Sequence, residues 1–228
     1  MTRGEGTEEA KRRAGERAAA TVEDDTTVGL GTGSTAAYAI EALGRRVADG
    51  LCIRGIPTSL QARRLAREAG ITLTSLDAIE TIDLAIDGAD QVADGTLVKG
   101  GGGAHAREKV VDAAAETFLV VVDASKVVET LDHPVPVEVL PFAIDTVTDA
   151  IAVRGGDPTL RKAERKDGPV VTDNGNLLLD CDFGSIPDPG TLASDLSQIP
   201  GVVDHGLFVD LADTVYVGHD DGVDVDTV

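Results

Sequence analysis

Short β-branched runs alternate with alanine-rich helical stretches as far as Val122, and this alternation constrains the fold more than any other feature of the chain. Lys11 to about Val22 reads as a helix, Thr26 to Leu30 as a short buried strand, and Ala36 to Leu43 as a helix. A strand near Leu51 to Gly55, a helix from Ser59 to Ala69, a short strand near Thr72 and a strand from Ile82 to Ile86 follow. A helix from about His105 to Ala115 then leads into the strongly apolar strand Phe118 to Val122. Strands and helices in this order form a mostly parallel sheet with helices on its faces. Aromatic residues make up only 3% of the chain and Trp is absent, so Val, Ile, Leu and Ala must fill the core, as is common in parallel α/β sheets. The expected class is α/β, with a Rossmann-like, mostly parallel sheet flanked by helices.

The pattern changes after His133. Val135 to Leu140 reads as a strand, Ile144 to Val153 as a helix and Val170 to Thr172 as a strand. Asp173-Asn174-Gly175-Asn176 is a turn signal before a further strand, Leu177 to Cys181, which predicts a hairpin. Thr191 to Ile199 looks helical and Val202 to Val209 extended. The order β-α-β-β-α-β is that of a ferredoxin-like unit. The predicted organisation is a Rossmann-like catalytic domain at 1–133 and 207–228, with a smaller ferredoxin-like α+β domain at 134–206.

Charge excludes several functions. The formal net charge is -20, and phosphate backbones or anionic membrane surfaces need Lys and Arg, so neither nucleic acid nor a membrane is an expected partner. The acids are spread along the chain and Arg outnumbers Lys, which reads as adaptation to a high-salt cytoplasm, where a Debye length of about 3 Å screens self-repulsion. Cys52 and Cys181 form no Cys-x-x-Cys pair and support neither a zinc site nor a disulfide framework. The segment from Met1 to Arg17 is charged and has no apolar signal core, so cytoplasm is the expected compartment.

Ligands of open α/β sheets bind outside the carboxyl ends of the strands. Four loops there carry unusual residues and are expected to converge on one cleft: Gly31-Thr32-Gly33-Ser34-Thr35, Asp87-Gly88-Ala89-Asp90, Lys99-Gly100-Gly101-Gly102, and Asp123 with Lys126. The first opens a helix, where free N–H groups and the positive end of the dipole favour an anion. It lacks the last glycine of a dinucleotide loop and the Gly-Lys of a Walker loop, so a phosphate monoester fits better, against the plainer reading of a tight turn. Asp87 and Asp90 fit general acid/base groups, acceptors for sugar hydroxyls, or simply a turn device; no neighbouring His or carboxylate completes a metal site. Lys99 precedes four glycines that let backbone approach a ligand closely, and Glu108 falls in the first turns of the next helix, as a general base or an ordinary helix-start acid. Lys126 fits either a phosphate contact or a solvated loop. The histidines, His105, His133, His205 and His219, lack metal-ligand spacing and read as surface or structural residues, with His105 the least settled.

Taken together with Pro136-Val-Glu-Val139, Arg107-Glu-Lys109, Val171-Thr-Asp-Asn-Gly-Asn176 and Ile199-Pro-Gly-Val-Val203, these motifs resemble the ribose-5-phosphate isomerase A family in order and spacing from about Ala18 to Gly222. The resemblance implies aldose-ketose interconversion of ribose 5-phosphate and ribulose 5-phosphate through an enediolate, in the non-oxidative pentose phosphate pathway. It implies Glu108 as general base, Asp87 in ring opening and oxygen protonation, and Lys99 as the cation beside the enediolate oxygen. Asp90 with Gly88 and Ala89 would hold the sugar, Gly100 to Gly102 would line it, and Thr32, Gly33, Ser34, Thr35 and Lys126 would contact the phosphate. No metal or organic cofactor is implied, and the expected assembly is a homodimer or homotetramer. Gln91, Gly103 and His105 depart from the common pattern. A sugar-phosphate sensor, the main competing reading, would normally carry a basic helix-turn-helix segment, and none is visible.

Overall fold

The computed structural model describes residues 6–228; Met1–Glu5, the start of the charged amino-terminal segment, lie outside the described residues. The chain divides into two compact units. One holds the chain up to Ala89 with Arg107–Val127 and Asp210–Val228, and the other holds Asp90–Ala106 and Val128–Val209.

The chain begins with α1 (Glu8–Ala19), β1 (Thr26–Leu30), α2 (Ser34–Ala48), β2 (Ile53–Pro57), α3 (Leu60–Glu68), β3 (Thr72–Leu73) and β4 (Leu84–Asp87). Next come β5 (Gln91–Ala93), β6 (Thr96–Val98), α4 (His105–Ala114), β7 (Phe118–Asp123), β8 (Val135–Val139) and α5 (Ile144–Val153). The remainder is β9 (Asp157–Leu160), β10 (Leu177–Asp182), α6 (Pro189–Ser197), β11 (Val202–His205), β12 (Leu207–Phe208), β13 (Thr214–Gly218) and β14 (Val223–Thr227).

The first unit is built on a seven-stranded sheet in the order β14-β13-β7-β4-β1-β2-β3. Every neighbouring pair is parallel except β13 with β14. All six residues of β7 are buried, as its unbroken apolar run requires. Ala14, Ala18 and Ala19 of α1 pack into one core with Ile40 and Leu43 of α2 and Val28 and Leu30 of β1. Small residues permit this closeness: a Cβ on Gly15 would stand 2.8 Å from the backbone nitrogen of Ala39. From β1 the chain runs outward through β2 to β3, then returns to the other side of β1 as β4. This reversal makes a topological switch point between β1 and β4, where open α/β sheets bind ligands.

The second unit contains an antiparallel sheet in the order β11-β8-β10-β9, with α5 and α6 as its helices. Numbered within the β-α-β-β-α-β run, that is fourth, first, third, second, the ferredoxin-like arrangement expected from the sequence. Val135, Val137 and Val139 of β8 form its core with Val147, Ile151, Leu179 and Leu196. A second small sheet, β12-β6-β5, draws residues 90–106 into this unit, ahead of the boundary expected at 134. The cause is pairing across a long sequence gap: Leu207 opposes Val98, and Lys99 N–H donates to Gly206 O at 2.8 Å.

One predicted strand is elsewhere. Val170–Thr172 makes only a bridge from Val171 to Leu177, and the strand that pairs with β10 is β9. β9 carries Pro158, and it lies at the sheet edge, where proline is tolerated.

Candidate active site

The residue types singled out in the sequence fall into two groups, one in each unit. In the first unit, β1 delivers the chain to Gly31 and α2 starts at Ser34. Gly33, the residue before the helix, has φ of 116° and supplies no side-chain cap. The first-turn N–H groups of a four-turn helix therefore face the carboxyl edge of the sheet, the geometry that suits a phosphate. Ser34 is exposed and Thr35 buried. The Thr32 hydroxyl is held internally, 2.8 Å from Thr58 Oγ1 and 2.7 Å from Ser59 Oγ, so it pins the loop to the start of α3.

Asp87 closes β4 at the switch point and is fully buried. Its Oδ1 accepts from the N–H of Thr32 at 2.9 Å and of Gly88 at 2.7 Å. The carboxylate rests on Gly31, where a Cβ would lie 2.1 Å from Oδ1, so glycine here is a requirement of Asp87. Glu108 is 3% exposed. It stands one helical turn before Val111, whose Cγ1 would be 2.7 Å from a Cβ on Gly29 of β1, so the packing of α4 on the sheet sets the face that carries Glu108. Ala89 follows Gly88 at the end of this unit's first segment. Lys126 ends a short 3-10 turn after β7; Asp123 caps that turn, accepting from Ser125 N–H at 2.9 Å.

In the second unit, Lys99 is 2% exposed, with its ammonium 5.3 Å from the centre of the Phe208 ring, a cation-π distance. Gly100 and Gly103 have φ of 106° and 73°, in the left-handed region that favours glycine. Gly100 sits on the buried His105 ring, whose Nδ1 would be 2.7 Å from an added Cβ. His105 is thus a floor for the glycine loop, which resolves its role, and Gly103 suits its φ. Asp90 Oδ2 accepts from Gly101 N–H at 2.7 Å, while Gly102 is exposed. His205 is also buried and His219 pairs with Asp224 at 2.9 Å. Among the described residues, no group of three or more His, Cys, Asp or Glu side chains is arranged to hold a metal ion.

Gln91 is buried and bridges to the turn before β8: its Oε1 accepts from the N–H of Asp132 at 2.8 Å and of His133 at 2.9 Å, and its amide donates to Asp132. An amide satisfies both kinds of partner here, which accounts for glutamine at this position.

Three structural roles escaped the sequence reading. Glu138, fully buried in β8, accepts on Oε1 from Thr172 Oγ1, Asn174 Nδ2 and Asn176 Nδ2 at 2.9, 3.0 and 2.8 Å, holding the turn at 172–176. An acid inside the apolar run Val135–Val139 was the available signal. Arg161 and Asp180 pair beside the glycine loop, and neither position carries a sequence signal of its own. Thr58 and Ser59 read as an ordinary helix start.

Comparison with known proteins identifies the family. The family described as ribose 5-phosphate isomerase A (phosphoriboisomerase A) matches residues 54–222. A ribose-5-phosphate isomerase A of Haloarcula marismortui is 64% identical over 223 residues, covering 98% of this chain and 97% of that protein. The structure of ribose 5-phosphate isomerase A from Methanocaldococcus jannaschii superposes with a TM-score of 0.93 at 43% identity, covering 97% of this chain and 99% of that one. A D-ribose-5-phosphate isomerase solved in complex with phospho-erythronic acid gives 0.95 at 42% identity, covering 98% of this chain and all of that one. The chain therefore belongs to the ribose-5-phosphate isomerase A family.

Proposed function

We propose that this chain interconverts ribose 5-phosphate and ribulose 5-phosphate, with Glu108 as the base that moves the proton. The observation that carries this reading is the burial of Asp87, Lys99 and Glu108 together with the open helix start at Gly31–Thr35. Burying ionisable groups is costly unless they are partnered or put to use, and such groups concentrate at sites of chemistry.

The phosphate binds the N–H groups of 33–35 and the Lys126 ammonium. Asp87 assists ring opening, passing a proton between the ring oxygen and the anomeric hydroxyl. Glu108 takes the proton from C2 of the open aldose, electrons move into the C1 carbonyl, and an enediolate forms. Lys99 balances its negative charge, an electrostatic contribution worth about 10²-fold or more in typical enzymes. Return of the proton from Glu108 to C1, with transfer of the O2 proton to O1, gives the ketose. Asp90 and the Gly100–Gly102 backbone orient the sugar; Gly88 and Ala89 carry the chain from Asp87 to Asp90. A carboxylate-ended four-carbon phosphate, the class of ligand in the relative's complex, mimics the enediolate charge and fits this scheme. The reaction is redox-neutral overall and runs on these side chains without metal or organic cofactor. We place the enzyme in the cytoplasm as a homodimer or homotetramer; no helix among the described residues is long and apolar enough to cross a membrane.

The test is turnover of ribose 5-phosphate in molar KCl with EDTA, alongside Glu108→Gln. Wild-type turnover with loss of about 10²–10⁴-fold in the variant is expected. Full activity in a folded Glu108→Gln protein would remove Glu108 as the base, and inactivity of folded wild type would favour a sugar-phosphate sensor.

A further inference from the structure

We propose that Arg161 is a positioning residue for this reaction, setting the glycine loop and Asp90 through a single peptide group; the inference rests on the roles assigned above to Lys99 and Asp90. Arg161 follows β9 directly, and its own backbone is fixed on both sides: its N–H donates to Leu178 O and its carbonyl accepts from Val170 N–H, each at 2.9 Å. The side chain then turns to the loop after Lys99. Its Nη1 donates to Gly100 O at 2.9 Å and to Gly101 O at 3.1 Å. The rest of the guanidinium is gripped by Asp180 of β10, with Nε 2.9 Å from Oδ2 and 3.2 Å from Oδ1, and Nη2 donating to Oδ1. A planar fork that meets one carboxylate and two carbonyls at once leaves the side chain little freedom to move.

The consequence lies on the far side of the loop. No peptide among the described residues is cis, so the Gly101 N–H points opposite to the Gly100 carbonyl that Arg161 binds. That N–H is the one that donates to Asp90 Oδ2 at 2.7 Å. The Gly100–Gly101 peptide therefore has a cation at its oxygen and a carboxylate at its nitrogen. Bonds linked in this way polarise and strengthen each other. The loop has no side chains of its own at 100–103 by which to be held, and its glycines are conformationally the freest residues in the chain. Backbone bonds also anchor it, Lys99 N–H to Gly206 O at 2.8 Å and Gly103 N–H to Gly100 O at 2.9 Å. The bonds from Arg161 to the Gly100 and Gly101 carbonyls come from the residue that follows β9, the edge strand of the four-stranded sheet. Asp180, which faces Thr159 across the β9–β10 pair, ties that cation to the sheet.

The experiment uses the full chain in molar KCl and measures kcat, KM and the thermal midpoint. Arg161→Met keeps the length of the side chain without its donors, and kcat is expected to fall about 10- to 100-fold with KM changed less than about threefold, the pattern of a misplaced rather than missing group. Arg161→Lys keeps the charge but not the fork, and should recover part of that loss. In an Asp90→Asn background, Arg161→Met should cost less than about threefold further, because its effect passes through Asp90. Effects that multiply fully in the double variant would overturn that route. Lys99→Met is the control for the underlying reading. Wild-type kcat in Arg161→Met with Lys99→Met inactive overturns the positioning role alone, whereas wild-type kcat in both overturns the assignment of Lys99 as well. Should Arg161→Met fail to fold, Asp180→Asn and Arg161→Lys carry the test: a kcat loss of about threefold or more in folded protein supports the role, and wild-type kcat in both refutes it.

Discussion

Replacing Gly31 by Ala tests the switch-point geometry with one methyl group. A Cβ at this position would lie 2.1 Å from Asp87 Oδ1 and 2.6 Å from its Cα, where ordinary contact begins at 3.4 Å. The carboxylate must therefore retreat by about 1.3 Å, taking part of the β4 backbone with it. Gly31 has no positive φ, so the alanine backbone is unstrained and the damage is purely steric. A shift of that size breaks the bonds from Thr32 and Gly88 to Asp87 and, at about 10²-fold per ångström of misplacement, lowers kcat by roughly 100-fold. The overpacking should cost about 1–3 kcal/mol in stability, leaving the protein folded. Gly33→Ala is the matched control. Nothing lies within 4 Å of a Cβ there, but φ of 116° strains an alanine by about 1–3 kcal/mol. It should lower stability similarly, raise KM through the phosphate loop and spare more of kcat. Steady-state kinetics with calorimetry on both variants separates the two effects. Wild-type kcat in Gly31→Ala, with Asp87 unmoved in a crystal structure of that variant, would refute the reasoning.

Gln91→Glu places a carboxylate against Asp132 where an amide now donates, and should lower stability by about 1–3 kcal/mol at neutral pH, less at pH 4 where protonation relieves the pair; equal losses at both would refute it. With a net charge of -20, the thermal midpoint should rise from 0.1 to 2 M KCl as the Debye length shrinks from about 10 Å to below about 3 Å, and a flat curve in a series of melts would contradict the reading of salt adaptation. Burial pushes the Cys181 thiol up to about 12 whereas Cys52 is exposed, so a thiol reagent at pH 8 should modify one cysteine in the native protein and both after denaturation.

The parallel sheet was legible because its strands are buried on both faces and read as continuous runs such as Phe118–Val122. The anion loop was legible because glycines crowd a strand-to-helix turn. β9 was not, since an edge strand carrying Asp157 and Pro158 has no pattern to distinguish it from a loop. Residues 90–106 looked like part of the first domain because sequence reading follows chain order, and the pairing of Val98 with Leu207 spans more than a hundred residues. Arg161 and Asp180 have the same origin: each is an ordinary surface residue type, and only the β9–β10 pairing brings them to Gly100. Asp87 and Glu108 announced themselves as acids in or beside glycine-rich turns, while the reason for Gly31, the seat it leaves for Asp87, needed coordinates.

The acidity of the chain bears on how it holds an anionic substrate. A formal charge of -20 repels a phosphate dianion at long range in dilute buffer, yet molar salt screens that field within a few ångströms. Screening weakens long-range steering by Lys and Arg just as much. What survives is short-range and directional, and on the proposed reading that is the backbone N–H groups at the start of α2, which would meet the phosphate at hydrogen-bond distance. The same reasoning applies inside the site, where Lys99 is buried against Phe208 and Asp87 against Gly31, out of reach of mobile ions. On the roles proposed above, recognition and electrostatic stabilisation would thus rest on groups that salt does not screen.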